Sequence, residues 1–206
     1  MWKDIGEVWQ AAFLEGWEAF KHGAVPIGAA ITDENGKIIC TGRNRIGELP
    51  HGNNKIAHAE MDCLTKLDTK TYPNVRSYTL YACMEPCPMC MGTFVMSNLR
   101  TLRVAARDRH CGAVHYMEDD PYVKNKNIDA KFELGEMELV QLTMQSYRYY
   151  VMNDGADGVV DQKFTLDCPQ AVALAREFYK ERVLDTYAEQ GADFGEVYDR
   201  IVRSAK

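Results

Sequence analysis

The sequence predicts an α/β protein: a three-layer α/β/α sandwich around a mixed sheet of about five strands, with a C-terminal helical extension. Two observations carry this prediction. Short apolar runs alternate with segments whose apolar residues recur at helical spacing, and a tight-turn signal joins the first two runs. The length of 206 residues suits one compact domain with an appendage, rather than two full domains.

The predicted core follows the order α-β-β-α-β-α-β. A helix is expected over residues 4–22, where aromatic and aliphatic side chains recur at helical spacing. Strands at 25–31 and 37–41 are expected to form a hairpin, because Asp33-Glu34-Asn35-Gly36 is typical of a tight turn. The other expected core elements are a loop at 42–55, a helix at 57–67, a strand at 77–83, a helix at 87–98 and a strand at 101–106.

Beyond residue 106 the pattern is weaker. The polar segment 107–137 is expected to be a loop, and residues 138–144 a fifth strand. Apolar side chains at helical spacing predict one long helix at 169–189 and a short helix at 194–202.

The best linker candidate is the segment 153–161, which contains two glycines. We therefore expect the chain to divide into a domain of residues 1–152 and a C-terminal extension of residues 153–206.

Composition excludes several classes of protein. The net charge of −6 gives no general attraction to phosphate backbones, and no apolar stretch approaches the roughly 20 residues of a membrane span. The first residues are partly acidic and do not resemble a secretory signal. Seven clustered cysteines favour a reducing compartment, where thiols serve as metal ligands or core residues. We expect a cytoplasmic protein that does not interact with membranes.

The residues most informative about chemistry lie in two short motifs, His58-Ala59-Glu60 and Pro86-Cys87-Pro88-Met89-Cys90. Cys87 and Cys90 stand three residues apart at a predicted helix start, so both sulfur atoms lie on one face. The free amides and the positive end of the helix dipole there favour thiolate over thiol. His58 begins another predicted helix, so one imidazole and two thiolates can form a three-ligand Zn²⁺ site.

Three protein ligands leave a fourth position for water, whose pKa zinc lowers to about 7 in well-studied enzymes. Glu60 is not needed as a ligand and can move protons between that water and a substrate. An amine on an sp² ring carbon fits this equipment: hydroxide adds, a ring nitrogen is protonated, and ammonia leaves. The alternative is a structural zinc site, whose fourth ligand would be Cys83, Cys111, His110 or His115.

These motifs resemble the cytidine deaminase-like superfamily of zinc-dependent deaminases. Within it, the residues are similar to the branch that contains tRNA adenosine deaminase, guanine deaminase and fungal-type cytosine deaminase. The resemblance covers about residues 24–106 and rests on Val25-Pro26-Ile27-Gly28, Gly42-Arg43-Asn44-Arg45, His58-Ala59-Glu60 and Glu85-Pro86-Cys87-Pro88-Met89-Cys90.

The resemblance implies a role for each matching residue. His58, Cys87 and Cys90 would bind Zn²⁺, and Glu60 would be the catalytic proton shuttle. Asn44 and the backbone amide of Ala59 would bind the substrate base, although Asn44 taken alone is typical of a turn. The resemblance also implies a homodimer. Apolar side chains of the predicted zinc-bearing helix would supply its surface or fill the monomer core: Met89, Met91, Phe94 and Met96.

Three functions stay open on the sequence. The first is hydrolytic deamination of a small nucleobase or nucleoside of the guanine, cytosine or adenosine type, which the acidic net charge favours. The second is a tRNA adenosine deaminase that converts adenosine to inosine, supported by Arg107-Asp108 and the segment 124–127 and disfavoured by net charge. The third is a non-enzymatic zinc-stabilised interaction module, which requires a closed four-ligand site.

Overall fold

The computed structural model describes residues 1–48 and 52–206, and it has the predicted α/β architecture. Five strands form one mixed sheet in the order β2-β1-β3-β4-β5, with helices on both faces. The strand β1 pairs antiparallel with β2 and β3, whereas β3–β4 and β4–β5 are parallel. The strands are β1 (Gly28–Thr32), β2 (Ile38–Arg43), β3 (Thr79–Met84), β4 (Thr101–Ala106) and β5 (Asp129–Phe132).

The helices divide between the two faces of the sheet. Side chains of α1 and α6 pack against one face, with α8 and α10 packed on α6, and side chains of α2 and α3 pack against the other face. Among the described residues, no helix is long and apolar enough to span a membrane. The helices are α1 (Glu7–Lys21), α2 (Ala59–Lys66), α3 (Pro88–Met96), α4 (Tyr116–Asp119), α5 (Pro121–Lys124), α6 (Glu136–Met152), α7 (Val159–Asp167), α8 (Pro169–Lys180), α9 (Val183–Glu189) and α10 (Phe194–Ser204).

The core elements up to residue 106 confirm the predicted order, with ends that shift by a few residues. The first helix begins at Glu7 rather than residue 4, and α2 and α3 begin just after His58 and Cys87. Close packing of α1 on β1 depends on Gly28, because a Cβ there would lie 1.9 Å from the Ala12 carbonyl oxygen. Only glycine lets the two backbones approach so closely.

The fifth strand predicted at 138–144 is wrong. Those residues belong to α6, and every residue from 138 to 147 is buried, because the sheet and the C-terminal helices enclose this helix. A helix buried on all sides lacks the one-sided apolar pattern that identifies helices in sequences. The fifth strand is β5, which lies in the predicted loop 107–137 together with α4 and α5. Its four residues include exposed charged side chains, so the apolar pattern of a strand is missing.

The predicted helix at 169–189 is two helices, α8 and α9. The chain turns at Arg182, which adopts a left-handed conformation with φ of +53°. Only 153–158 of the linker candidate lie outside helices, since α7 begins at Val159. Helices beyond residue 152 share one apolar core with α1 and α6. The division of the chain at residue 152 stays a prediction.

Candidate active site

The carboxyl ends of three strands meet at one edge of the sheet. Strand register places Arg43 of β2 beside Gly28, and Met84 of β3 beside Ala106 of β4, while β1 and β3 pair through Ala29 and Ala82. Segments that leave these strands therefore converge above the same edge. They carry Asn44 after β2, Cys87 after β3 and Asp108 after β4.

Three of the predicted ligands form a tight group at this edge. The Nδ1 atom of His58 lies 3.7 Å from Cys87 Sγ and 3.6 Å from Cys90 Sγ, and the two sulfur atoms are 3.6 Å apart. Tetrahedral zinc with ordinary bond lengths separates such ligand atoms by about 3.5–3.8 Å. The residues present therefore fit a zinc ion. Within residues 1–48 and 52–206, no other His, Cys, Asp or Glu side chains form so compact a trio, and Cys83, His110, Cys111 and His115 lie outside it.

Helix starts position these ligands. His58 is the N-cap of α2, and Cys87 is the N-cap of α3, which has Pro88 in its first turn. The Cys90 thiol, and then the His58 ring, lower the pKa of Cys87 to about 4. The hydrogen bond with Cys87 in turn raises the pKa of His58. The group therefore favours a thiolate at Cys87, which is the form that binds metals.

Glu60 lies beside the three ligands without belonging to their group. It is the second residue of α2 and is only 4% exposed. The Cys90 thiol donates to its Oε2 atom at 3.4 Å, and burial raises its pKa. A carboxylate with a raised pKa next to a metal site suits proton transfer near neutral pH.

The start of α2 lies directly against β2 because of Gly42. A Cβ at this position would lie 2.4 Å from the Cys63 nitrogen and 2.6 Å from the Ala59 carbonyl oxygen. This contact aligns the His58 motif with the end of β2. Ala59 is fully buried there, and its side chain does not line the cavity described below, so its role stays a prediction.

Asn44 combines a turn contact with a position in the cavity wall, and its binding of a substrate base stays a prediction. Its Oδ1 atom accepts from the Ile46 backbone nitrogen at 3.0 Å, which is the local contact of a turn-forming asparagine. The side chain nevertheless lines the cavity and is 2% exposed. Because the oxygen serves the turn, the Nδ2 group is the one oriented to donate a hydrogen bond to a ligand.

A cavity of about 140 Å³ lies above the ligand group. A cavity of roughly 150 Å³ holds a single benzene ring, so this space fits one heterocycle. Asn44, His58, Glu60 and Cys87 line one side. The opposite side is lined by residues from beyond the resemblance: Asp108, His110, Cys111, Gln145, Tyr149, Val160 and Phe164.

Two acidic side chains order the loop after β4. Glu85 accepts from the backbone nitrogens of Asp108, at 3.1 Å, and Val114, at 3.2 Å, and burial raises its pKa. Asp108 accepts from the backbone nitrogen of His110 at 2.8 Å and from the Cys111 thiol at 3.1 Å. These two carboxylates give the cavity an acidic wall.

The arginines near the cavity are paired with carboxylates. Arg43 donates to Glu48, with 2.7 Å between Nη2 and Oε2, and Arg109 Nε lies 2.6 Å from Asp167 Oδ1. Arg107 does not line the cavity; its guanidinium lies over the Phe132 ring. Lys124 and Lys126 are likewise not among the lining residues.

Sequence reasoning missed the part of the cavity wall that α6 and α7 supply. The tyrosine-rich run 147–150 that follows the predicted strand could stack on bases or fill a core or an interface, and the predicted linker at 153–161 gave no reason to place Phe164 at a site. One signal was present: Gln141, Gln145 and Tyr149 recur every four residues. Treated as a helix, this spacing indicates a polar stripe on one face.

A family model describing the cytidine and deoxycytidylate deaminase zinc-binding region matches residues 3–106. The matched region contains Asn44, the His58-Ala59-Glu60 motif and both cysteine ligands. It ends before the loop, α6 and α7, which line the opposite side of the cavity.

The chain is similar to several curated proteins. It is 35% identical over 109 residues to the tRNA-specific adenosine deaminase of Aquifex aeolicus, covering 51% of this chain and 68% of that protein. It is 36% identical over 98 residues to the tRNA-specific adenosine deaminase of Rickettsia felis, covering 47% and 66%. It is also 36% identical over 85 residues to a probable cytosine deaminase of Schizosaccharomyces pombe, covering 41% and 49%. The chain thus spans just under two thirds of the Rickettsia protein and about half of the Schizosaccharomyces protein.

One solved structure supports the same likeness. It comes from studies of A-to-I editing by tRNA:A34 deaminases at the wobble position of transfer RNA. It superposes with a TM-score of 0.54 at 25% sequence identity, covering 66% of this chain and 97% of that chain. About a third of the present chain therefore has no counterpart in it.

Proposed function

We propose that the chain, which belongs to the family of the cytidine and deoxycytidylate deaminase zinc-binding region, is a hydrolytic deaminase. The proposed reaction removes an exocyclic amine from a small nucleobase or nucleoside and releases ammonia. One observation carries the proposal: His58 and Cys87 of the three-ligand group line one cavity of about 140 Å³ together with the buried Glu60. A structural zinc site would use a fourth protein ligand and would need neither Glu60 nor a cavity.

Each proposed step belongs to a residue of this chain. His58, Cys87 and Cys90 would hold zinc, which supplies a Lewis acid that makes water nucleophilic near neutral pH. Glu60 takes a proton from the attacking water and delivers it to the ring nitrogen beside the reacting carbon. It then takes the remaining proton from the hydroxyl that has been added to the ring carbon and passes it to the departing amine, so that the carbon–nitrogen bond breaks, a carbonyl forms and ammonia leaves. Asn44 holds the base through its Nδ2 group.

The charges around the cavity support a small substrate. The cavity has an acidic wall, the neighbouring arginines are paired with carboxylates, and the net charge is −6. Phosphate contacts from unpaired lysines and arginines dominate affinity for nucleic acids. The proposed partner is therefore a small base or nucleoside.

A second candidate is deamination of adenosine in tRNA. The similarity to tRNA-specific adenosine deaminases, at 35–36% identity, favours it. This candidate needs phosphate contacts near the cavity, and the lysine-containing segment 124–127 supplies none of the lining residues.

A homodimer and a cytoplasmic location are also proposed. Two of the four candidate interface residues, Met91 and Phe94, are fully buried and fill the monomer core, so they cannot supply a surface. Met96 is 67% exposed on the same helix and remains available to a second copy. Light scattering tests the dimer, which predicts about twice the monomer mass of 23.4 kDa. The proposed location rests on cysteine usage, because a reducing compartment keeps the ligand thiols available.

The deciding experiment is a screen for ammonia release by zinc-loaded protein. The substrates are cytosine, guanine, adenine, their nucleosides and a tRNA anticodon stem-loop with adenosine at position 34. Release from a free base or nucleoside supports the first candidate, and release from the stem-loop alone supports the second. Stoichiometric zinc without release from any of them supports the non-enzymatic module.

A further inference from the structure

A row of polar side chains crosses the buried helix α6 and ends at the cavity. We call Gln141, Gln145 and Tyr149 the α6 polar row. Gln141 Nε2 lies 3.0 Å from the Pro26 carbonyl oxygen and 3.3 Å from Gln145 Oε1. Gln145 Nε2 lies 3.4 Å from the Tyr149 hydroxyl oxygen. Gln141 is fully buried, and Gln145 is almost fully buried. Gln145 and Tyr149 form part of the cavity wall.

The carbonyl of Pro26 fixes the direction of every hydrogen bond in this row. A carbonyl oxygen only accepts, so the amide nitrogen of Gln141 must face it. The second hydrogen of that nitrogen goes to Gln145 Oε1, so the amide nitrogen of Gln145 faces Tyr149. The hydroxyl oxygen of Tyr149 is therefore an acceptor within the row, and its own hydrogen must be donated elsewhere.

That hydrogen is donated to no acceptor in the part of the chain that the structure describes. The Tyr149 side chain lines the cavity, so a ligand there is the available acceptor. Burial raises the pKa of Tyr149, which keeps the hydroxyl protonated at neutral pH. The same wall carries the side chain of Asp108, whose carboxylate oxygens are hydrogen-bond acceptors.

We propose that Tyr149, positioned by Gln145 and Gln141, donates a hydrogen bond to a ring carbonyl oxygen of the substrate and so selects aminated bases that carry one. The inference rests on the proposed function and narrows its substrate class. A ring carbonyl beside a ring N–H complements a wall that offers one hydroxyl donor and one carboxylate acceptor. Guanine and cytosine have such an edge, whereas adenine has none.

Matched pairs of bases test this selection. Guanine is compared with 2-aminopurine, and cytosine with 4-aminopyrimidine, because each second compound lacks the ring carbonyl and, with it, the hydrogen on the neighbouring ring nitrogen. The effect of Tyr149→Phe on each compound isolates the contribution of the carbonyl. Tyr149→Phe should lower kcat/KM for the carbonyl-bearing base roughly tenfold, the value of one hydrogen bond to a bound ligand. For the analogue, Tyr149→Phe should leave kcat/KM within about twofold, since no hydrogen bond is lost. Where an analogue is not turned over, its inhibition constants for wild type and Tyr149→Phe are compared instead of kcat/KM.

Tyr150→Phe is the matched control. Tyr150 is the next residue of α6, and its hydroxyl donates to Asp157 rather than lining the cavity. This variant should leave the ratio between the two bases of a pair unchanged. Equal ratios in wild type, Tyr149→Phe and Tyr150→Phe would overturn the inference.

Gln145 is a positioning residue, and two variants separate its direction from its bulk. Gln145→Glu keeps the size but offers only acceptors, so it captures the Tyr149 hydrogen and should reproduce the loss seen in Tyr149→Phe. Gln145→Met keeps the length without hydrogen bonds and should cause a smaller loss. Thermal unfolding of both variants verifies that they are folded. If Gln145→Glu retains the wild-type preference for the carbonyl-bearing base, the assigned direction is wrong.

Binding separates failure of this inference from failure of the proposed function. Calorimetry with zinc-loaded protein measures the affinity for each of the two compounds in a matched pair, and it does not depend on turnover. Tighter binding of the carbonyl-bearing base, lost in Tyr149→Phe, supports the inference even if no ammonia is released. Turnover with no preference in wild type supports the proposed function and overturns the inference. Absence of binding and of turnover overturns both.

Discussion

The two sides of the cavity come from two regions of the chain with different relations to sequence. Residues 3–106 supply the ligand group, Glu60 and Asn44, each from a motif of a few contiguous residues at a strand end or helix start. Residues 107–206 supply the opposite side from a loop, α6 and α7. The first side is defined by local geometry, and the second exists only once the helices pack.

This difference indicates that the two sides of the cavity have different functions. A zinc ligand group with a nearby carboxylate performs the same chemistry on many aminated rings, so it identifies a reaction. The opposite side contacts the parts of the ring that do not react, so it determines which ring is accepted. We therefore expect changes in residues 3–106 to alter turnover, and changes in residues 107–206 to alter binding and stability.

The largest expected effect tests the first half of this comparison. Glu60→Gln should lower kcat by roughly 10²–10⁴-fold, the range for loss of a positioned general acid–base. Zinc content should be unchanged, because the ligand atoms belong to other residues. Ammonia release is measured beside metal analysis of the same preparation.

Glu138→Gln is the control for Glu60→Gln. Glu138 is another buried glutamate with a raised pKa, but it accepts from the Arg107 backbone nitrogen and does not line the cavity. Its turnover should stay near that of wild type. Near-normal deamination by Glu60→Gln would refute the role of Glu60 as proton shuttle.

The boundary near residue 106 also separates the features that could be predicted from the sequence from those that could not. The ligand group was predictable because Cys87 and Cys90 need only one helical turn to meet, and because His58 caps a neighbouring helix. The α6 helix was not, since burial on every side removes the periodicity that distinguishes a helix from a strand. Strand β5 was missed for the opposite reason: its edge position tolerates polar residues.

A pair of phenylalanines tests the second half of the comparison. Phe164 and Phe178 are both buried in the C-terminal helices, but only Phe164 lines the cavity. Changing either to alanine should lower the free energy of unfolding by about 3–5 kcal/mol, the usual cost of emptying such a site. Only Phe164→Ala should also raise KM, because it enlarges the cavity.

The milder Phe164→Leu and Phe178→Leu pair covers the case in which the alanine variants do not fold. Denaturant unfolding and steady-state kinetics are measured on all four proteins. Equal KM values for the two positions would show that α7 does not contribute to substrate binding.

An ion pair connects the loop after β4 to α7. Arg109 bonds Asp167, whose side chain is 2% exposed and lies at the C-terminal end of α7, where a negative charge is unfavourable. Arg109→Ala would leave this buried carboxylate unpaired, and we expect a loss of about 1–3 kcal/mol in the free energy of unfolding.

Lys131→Ala provides the comparison for Arg109→Ala. Lys131 pairs with Glu133 at the protein surface, and its removal should change stability by no more than about 0.5 kcal/mol. Chemical denaturation in low and high salt measures both variants. If Arg109→Ala and Lys131→Ala lower the free energy of unfolding equally, the Arg109–Asp167 ion pair does not stabilise the position of the loop.

The smallest expected effect concerns the pH dependence of α7. Asp161 is buried in the first turn of α7, and its Oδ2 atom accepts from the Gly158 backbone nitrogen at 3.0 Å. Burial, and then the charge of Asp157, raise the pKa of Asp161 above its ordinary value of 3.8. For a carboxyl group with a raised pKa in the folded state, the protonated form is favoured by folding. Its stabilising contribution is present below pH 3.8 and is lost as the pH rises through the raised value.

Asp161→Asn removes this titration while its amide oxygen can still accept from Gly158. The variant should therefore gain in thermal midpoint relative to wild type as the pH rises from about 4 to about 7. Taking the difference between the two proteins in each buffer removes effects common to both, including any loss of metal in acid. A difference that is constant across this range would show that Asp161 keeps its ordinary pKa in the folded protein. A difference that shrinks would show that a partner stabilises the charged carboxylate, and α7 would then dock more firmly at neutral pH than in acid.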